Sequence, residues 1–318
     1  MERILTPDAA AFIYEWQNSA DYVIAHTSGS TGKPKTIRLL KCDMRASAHA
    51  TIKFFGLTSR STLYLPLSPD YIAGKMQIVR ALEAGCSLIV TPPTNKIQPA
   101  NRNLPIDLLP IVPSQIPGLL ESEILRRTNN VIVGGAPVTA EAEKALMQAA
   151  PNSFATYGMT ETCSHVALRK FGEKHFRALP GFNFSTDSRG CLIISTSTLS
   201  FGTLTTNDIV ELCDSSSFRW LGRFDNIINS GGLKISPEEI ERIIAPMFPA
   251  DCLFYVTSRP SPQWGEEAVI ITNAENLPDD FISRLHHLLP ARKVPKSVIY
   301  RHEIPLTDSK KIIRQKII

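Results

Sequence analysis

The sequence predicts an α/β protein: a large N-terminal domain whose helix-covered, mostly parallel sheet carries a small β-rich subdomain, followed by a smaller α+β C-terminal domain. Three observations predict it. Between Tyr22 and about Ser164, short β-rich runs alternate with amphipathic stretches, the pattern of strands joined by crossover helices. After Ser164 the crossovers stop, and short β runs follow one another with turn residues between them. From Phe224 a third texture begins, with a loop at Gly231-Gly232, a helix start at Ser236-Pro237, paired β runs and a second helix.

Taken along the chain, the first texture reads YVIAH, CDMRASAHATIKFFG, STLYLP, YIAGKMQIVRALEAG, SLIVT, LPIVPSQIPGLL, NNVIVGG, TAEAEKALMQAA and SFATYG. Sites in such sheets sit where strands end, and TSGSTG, GGAP and YGMTET each follow a strand-like run, so the three could converge on one edge. HVALR, CLIISTS, DIVELC and FRWLG make up the β-rich subdomain. In the third texture Ser236 before Pro237, with Glu238 and Glu239 next, forms a helix N-terminus. CLFYVTS and EAVIIT pair as strands, DDFISRLHHLL is the second helix, and a basic tail closes the chain. A domain boundary falls at Asp225, giving domains 1–224 and 225–318.

With 318 residues, 43% hydrophobic and 20% charged, the chain has the composition of a soluble globular protein of one large and one smaller domain. Its apolar runs are far shorter than the roughly 18 residues a membrane span needs, and MERILTPDAAAF lacks the build of a signal peptide, so a cytoplasmic location and no membrane insertion are expected. The six cysteines are scattered, without Cys-x-x-Cys or zinc spacing, and read as reduced thiols. A net charge of +4, with no basic run interleaved with aromatics, argues against nucleic acid and for anionic small molecules.

HTSGSTGKPKT, His26 to Thr36, poses the chemical question. Small residues let backbone N–H groups turn inward around an anion, so the loop looks phosphate-binding. The Walker pattern does not fit, because Thr27 stands where its first Gly is required and Pro34 follows Lys33. Five stretches need one explanation: TSGSTGKPK, YGMTET, TNDIVEL, GRFDNIINSGGLKISPEEIE and PLTDSKKIIRQK. In this order they resemble the core motifs of the adenylate-forming superfamily of acyl-CoA ligases, luciferases and peptide-synthetase adenylation domains, over roughly residue 20 to the C-terminus.

The resemblance implies an ATP-dependent acid–thiol ligase that forms an acyl-adenylate and then transfers the acyl group to coenzyme A. Two anions must meet in such a site, which calls for fixed N–H dipoles and positioned cations. It implies that Thr27, Ser28, Gly29, Ser30, Thr31, Gly32 and Lys35 cradle the β- and γ-phosphates. Tyr157 of the Tyr157-Gly158 pair stacks on adenine, Thr160 touches the α-phosphate, and Glu161 carries Mg2+. Gly134, Gly135, Ala136 and Pro137 border the adenine and acyl pocket, and Asp208 and Arg223 hold the ribose. Lys311 aligns with the catalytic lysine, although Lys310 replaces the glycine that usually precedes it and could compete as the cation. The C-terminal domain is then mobile about a hinge at Asp225, and Gly231 and Gly232 line the thiol channel; the same pair reads equally as a tight turn.

Within the superfamily, VPSQ, TETCSHVALR and a glycine loop preceded by only about two dozen residues resemble short bacterial o-succinylbenzoate–CoA ligases of menaquinone biosynthesis. That substrate keeps a second carboxylate, which needs a polar or cationic partner in a mostly apolar pocket. Lys75, His165 and Arg169, with Ser114 and Gln115, are the candidates, and Tyr71 could gate the ATP and acyl cavities. Each also has an ordinary structural reading, as core or solvated side chain. Another acyl- or aryl-CoA ligase, or an adenylate-binding sensor without catalysis, stays open, as does a homodimer.

Overall fold

The computed structural model describes residues 3–26, 36–97, 104–249, 252–307 and 312–317. The elements up to the first crossovers are β1 (Arg3–Ile4), α1 (Pro7–Gln17), β2 (Tyr22–His26), β3 (Thr36–Leu40), α2 (Lys41–Phe55), β4 (Thr62–Leu65), α3 (Ile72–Ala84) and β5 (Ser87–Val90). There follow β6 (Leu109–Ile111), α4 (Ile116–Leu120), β7 (Val131–Val133), α5 (Ala140–Ala149), β8 (Ser153–Gly158) and β9 (His165–Lys170). The β-rich stretch continues with β10 (Phe176–Ala178), β11 (Phe182–Thr186), β12 (Cys191–Thr196), β13 (Thr203–Asp214) and β14 (Ser217–Arg223). The last elements are β15 (Ile228–Ser230), β16 (Leu233–Ile235), α6 (Pro237–Ile244), β17 (Phe254–Ser261), β18 (Gly265–Thr272), α7 (Phe281–Leu288) and β19 (Val298–Tyr300).

In space β1, β5 and β4 form a parallel sheet in that order. A parallel bridge from Leu63 to Leu108, and the Tyr64 N–H donating to the Leu108 carbonyl at 3.2 Å, carry it on toward β6. From there a nine-stranded sheet runs β6-β7-β8-β9-β10-β14-β13-β12-β11. Its β6-β7-β8 part is parallel, and every pairing beyond β8 is antiparallel. The switch has a chain-length reason: β7 and β8 are joined through α5, whereas only a tight turn joins β8 to β9, too short for a parallel crossover. The β-rich stretch after Ser164 therefore extends the main sheet instead of forming one of its own.

The alternation passes over TIRLL, which forms β3. It pairs antiparallel with β2, from Tyr22 opposite Leu40 to His26 opposite Thr36, in a two-stranded sheet apart from the parallel strands. Nine residues of chain separate the two strands, fewer than the dozen or more that a parallel crossover needs.

The parallel strands are buried on both faces, as their continuous apolar runs require. Leu63, Leu65, Leu88 and Val90 pack with Met44 and Met76 of the covering helices, while Tyr64 and Ile89 pack into a second core with Ile111, Val133 and Leu146. Beyond Ile228 two further cores form: Ile240, Ile244 and Leu285 pack against Val256 and Ile270, and Tyr255, Val269 and Ile271 pack with Ile304. Buried residues of the first two cores end at Phe218. The predicted helix start is met at α6, where the Ser236 hydroxyl accepts from the Glu239 N–H. No helix of the described residues is long and apolar enough to cross a membrane.

Candidate functional site

The C-terminal ends of β6, β7 and β8 carry Val112–Gln115, Gly134–Pro137 and Tyr157–Glu161 side by side. The Gly134 N–H donates to the Ile111 carbonyl at 3.1 Å, and a Cβ on Gly134 would lie 2.4 Å from the Thr156 hydroxyl, so the turn after β7 is pressed against β8. Gly158 is held equally closely: a Cβ there would meet the Ser164 carbonyl oxygen at 2.3 Å and the His165 Cα at 2.5 Å. That close approach lets β8 turn directly into β9 and raises Thr160 and Glu161 on a short 3-10 turn, Thr160 buried and Glu161 exposed. Within the turn Cys163 has φ +61°, a conformation that costs a non-glycine residue about 1–3 kcal/mol. The Ser164 N–H donates to the Thr162 carbonyl at 2.7 Å across it.

Across the sheet β13 and β14 set Asp208 opposite Arg223. The Asp208 carboxylate, 7% exposed, accepts from the Tyr157 hydroxyl at 2.7 Å and from the Trp220 indole N–H at 3.1 Å. Arg223 stands 4.0 Å from it and 3.1 Å from Asp225, which also accepts from the Asn207 amide at 3.2 Å. The Tyr157 ring packs edge-on against Phe218 at 5.0 Å, and burial together with the Asp208 charge drives its pKa far above the ordinary phenol value. A buried carboxylate fixed by one donor on each oxygen keeps lone pairs for a diol.

The sequence-predicted acyl-pocket residues separate. Gln115 is buried and committed to the backbone: its oxygen accepts from the Val112 N–H at 3.0 Å, and its amide donates to the Pro66 and Thr94 carbonyls at 3.0 and 2.9 Å. Ser114 is exposed and donates to Asn95 at 3.3 Å. Tyr71 is exposed at the start of α3. Lys75 turns to α1, its ammonium 4.5 Å from the Phe12 ring centre and 3.9 Å from Glu15. Arg169 is held by Glu143 through two bonds of 2.7 and 2.8 Å. His165 is buried, 3.0 Å from the Thr51 hydroxyl, and burial with the nearby Arg80 charge holds its pKa well below the ordinary value.

The cation that the sequence reading missed is Arg80 of α3. It is 2% exposed, and burial pushes its pKa down to about 9. Among the described residues no carboxylate pairs with it. It donates to the Ser164 hydroxyl at 2.5 Å and to the Gln77 oxygen at 3.4 Å, and its Nε–H has no partner among the described residues. A buried guanidinium left without an anion is rare and costly, so it marks a place for one. The available signal was a lone Arg in the apolar run MQIVRAL, on a helix otherwise suited to the core.

Thr27, Ser28, Gly29, Ser30, Thr31, Gly32 and Lys35 lie outside the described residues, between β2 and β3, as do Lys310 and Lys311. At Gly231 (φ +55°) the space of a side chain is taken by the Trp264 ring, 2.5 Å from where a Cβ would stand, while nothing lies within 4 Å of the corresponding point at Gly232.

Through the Tyr157 hydroxyl the Asp208 carboxylate of β13 is tied to the end of β8, beside the close-packed Gly134 turn and the acidic Glu161. The chain belongs to the AMP-binding enzyme family, whose model matches residues 10–188. It is similar to the 2-succinylbenzoate–CoA ligase of Listeria monocytogenes serotype 4b (strain F2365), 26% identical over 98% of this chain and 72% of that protein. Among solved structures it resembles the acyl-CoA synthetase (AMP-forming)/AMP-acid ligase II-like protein of Dyadobacter fermentans DSM 18053. That chain is 32% identical with a TM-score of 0.64, over 98% of this chain and 94% of that one. The fold is also that of the o-succinylbenzoate coenzyme A synthetase of Bacillus subtilis in complex with ATP and magnesium ion. There the TM-score is 0.76 at 18% identity, over 92% of this chain and 68% of that one.

Proposed function

We propose that the protein is an ATP-dependent carboxylate–CoA ligase acting on o-succinylbenzoate, the substrate named for its Listeria relative, with an acyl-adenylate intermediate. The observation that carries the substrate is Arg80, a buried guanidinium without an acid, joined through Ser164 to the turn that bears Thr160 and Glu161. A substrate with two carboxylates supplies what that site lacks: one is activated and the other pairs with Arg80. Apolar acids would leave the cation uncompensated. Gln115 supports the pocket by tying three loops together, and Lys75 and Arg169 are held by acids of their own.

In the nucleotide half, Asp208 accepts from the ribose hydroxyls, Tyr157 borders the base, and the 27–35 loop takes the phosphates. Glu161 would give Mg2+ a single carboxylate and leave its other positions to phosphate oxygens and water, the coordination that ion favours, with charge neutralisation as its contribution. Lys311 is the cation for adenylation, and Asp225 is the hinge between domains 1–224 and 225–318. The separation of the cores on either side of residues 218–228 supports that division.

The test mixes protein, ATP, Mg2+, CoA and either o-succinylbenzoate or benzoate. Pyrophosphate and the o-succinylbenzoyl thioester are expected, and R80M should lower kcat/KM for the diacid by about 100-fold while sparing any turnover of the monoacid. Equal use of both acids by the unaltered protein would refute the substrate assignment. K311A should abolish pyrophosphate release but still convert preformed acyl-adenylate to thioester; normal adenylation by K311A would remove that lysine from the mechanism.

A further inference from the structure

We propose that Trp220 is a positioning residue of the nucleotide site, whose indole N–H holds the Asp208 carboxylate in the orientation that accepts the ribose diol. The inference rests on the reading of Asp208 as the ribose carboxylate. Two hydroxyls on adjacent carbons need two acceptor oxygens fixed in one plane, and a carboxylate free to turn about its Cβ–Cγ bond offers them only part of the time. Asp208 does not turn freely: Tyr157 donates to one oxygen at 2.7 Å and Trp220 to the other at 3.1 Å. Each oxygen spends one lone pair on the protein and keeps one for a hydroxyl.

Arg223 does not fill this role for the Trp220-bound oxygen. Its nearest approach is 4.0 Å, it leans to Asp225 at 3.1 Å, and its side chain is 37% exposed. Trp220 is better anchored: its backbone pairs with Val210 of β13, within a strand held between β13 and β10. The ring therefore reaches Asp208 from a backbone fixed by the sheet.

The expected signature is a split in the kinetics. W220F, which keeps an aromatic ring but loses the N–H, should raise KM for ATP by about 5- to 10-fold, while kcat at saturating ATP and KM for the acid stay within about 2-fold. W220H, which returns a ring N–H, should recover part of the loss. D208N separates the two layers of the argument. If D208N raises KM for ATP and W220F does not, the role of Trp220 is refuted and the ribose reading survives; if D208N leaves KM for ATP unchanged, both fall. Should W220F fail to fold, W16F/W264F leaves Trp220 as the one indole, and its emission must change as ATP is titrated. Constant emission through saturation would overturn the proposal.

Discussion

Arg80 and His165 are buried side by side around Ser164, and burial acts against the charged form of each. His165 is neutral when folded, because burial and, after it, the Arg80 charge hold its pKa well below 6.5. Below about pH 6.5 the unfolded chain therefore binds more protons than the folded one. This part of the stability is complete above that pH and is lost as pH falls, by up to about 1.4 kcal/mol per pH unit. Denaturation midpoints taken from about pH 7.5 down to pH 5 should decline, and H165Q should flatten the decline; the same slope in both proteins would mean another group titrates. Arg80 has the opposite character, a charge kept despite burial. R80M should raise the thermal midpoint while lowering diacid turnover, the trade expected where a site is built at the expense of the core.

Between residue and sheet stand the loops at the parallel strand ends. Gln115 bonds to Val112 after β6, Pro66 after β4 and Thr94 after β5, so one amide ties three loops that the sheet merely brings near one another. Q115L would leave a buried N–H and two carbonyls unsatisfied and should cost about 2–4 kcal/mol by chemical denaturation. If Gln115 instead contacts substrate, Q115L will change the ratio of diacid to monoacid turnover with little loss of stability. From the sequence Gln115 was legible as a polar residue in an apolar setting, but its partners lie 21 and 49 residues away and were not. Gly158 shows the same limit. Its place in YGMTET was plain, while the reason for a glycine, the press of β9 on β8, is a contact between strands.

At the scale of the molecule, separate cores flank the stretch around Asp225, and α6 is linked to the C-terminal segment by a half-buried ion pair. Arg314 donates to both oxygens of Glu241, one bond measuring 2.6 Å, and to the Val256 carbonyl at 3.1 Å. Removing one partner leaves the other half-buried charge without its bonds, so E241A should cost about 1.5–3 kcal/mol. Cores that divide on either side of residues 218–228 predict two unfolding transitions, and calorimetry of E241A should lower the one belonging to residues beyond 228 and leave the other in place. A single transition that shifts as a whole would show that the halves unfold together.

The sequence by itself determined the class of fold, the order of its textures, the α6 start at Ser236 and the motifs that mark an AMP-binding enzyme, because periodicity, capping and glycine spacing are local properties. It did not determine that TIRLL returns on YVIAH as a hairpin, or that the β-rich stretch continues the parallel sheet, because pairing depends on what each strand meets. Nor did it tell which cation is uncommitted. Lys75, His165, Arg169 and Arg80 all sit within or beside apolar runs along the chain. Only the tertiary structure gave two of them acids, left one neutral, and buried Arg80 beside Ser164 with no acid among the described residues.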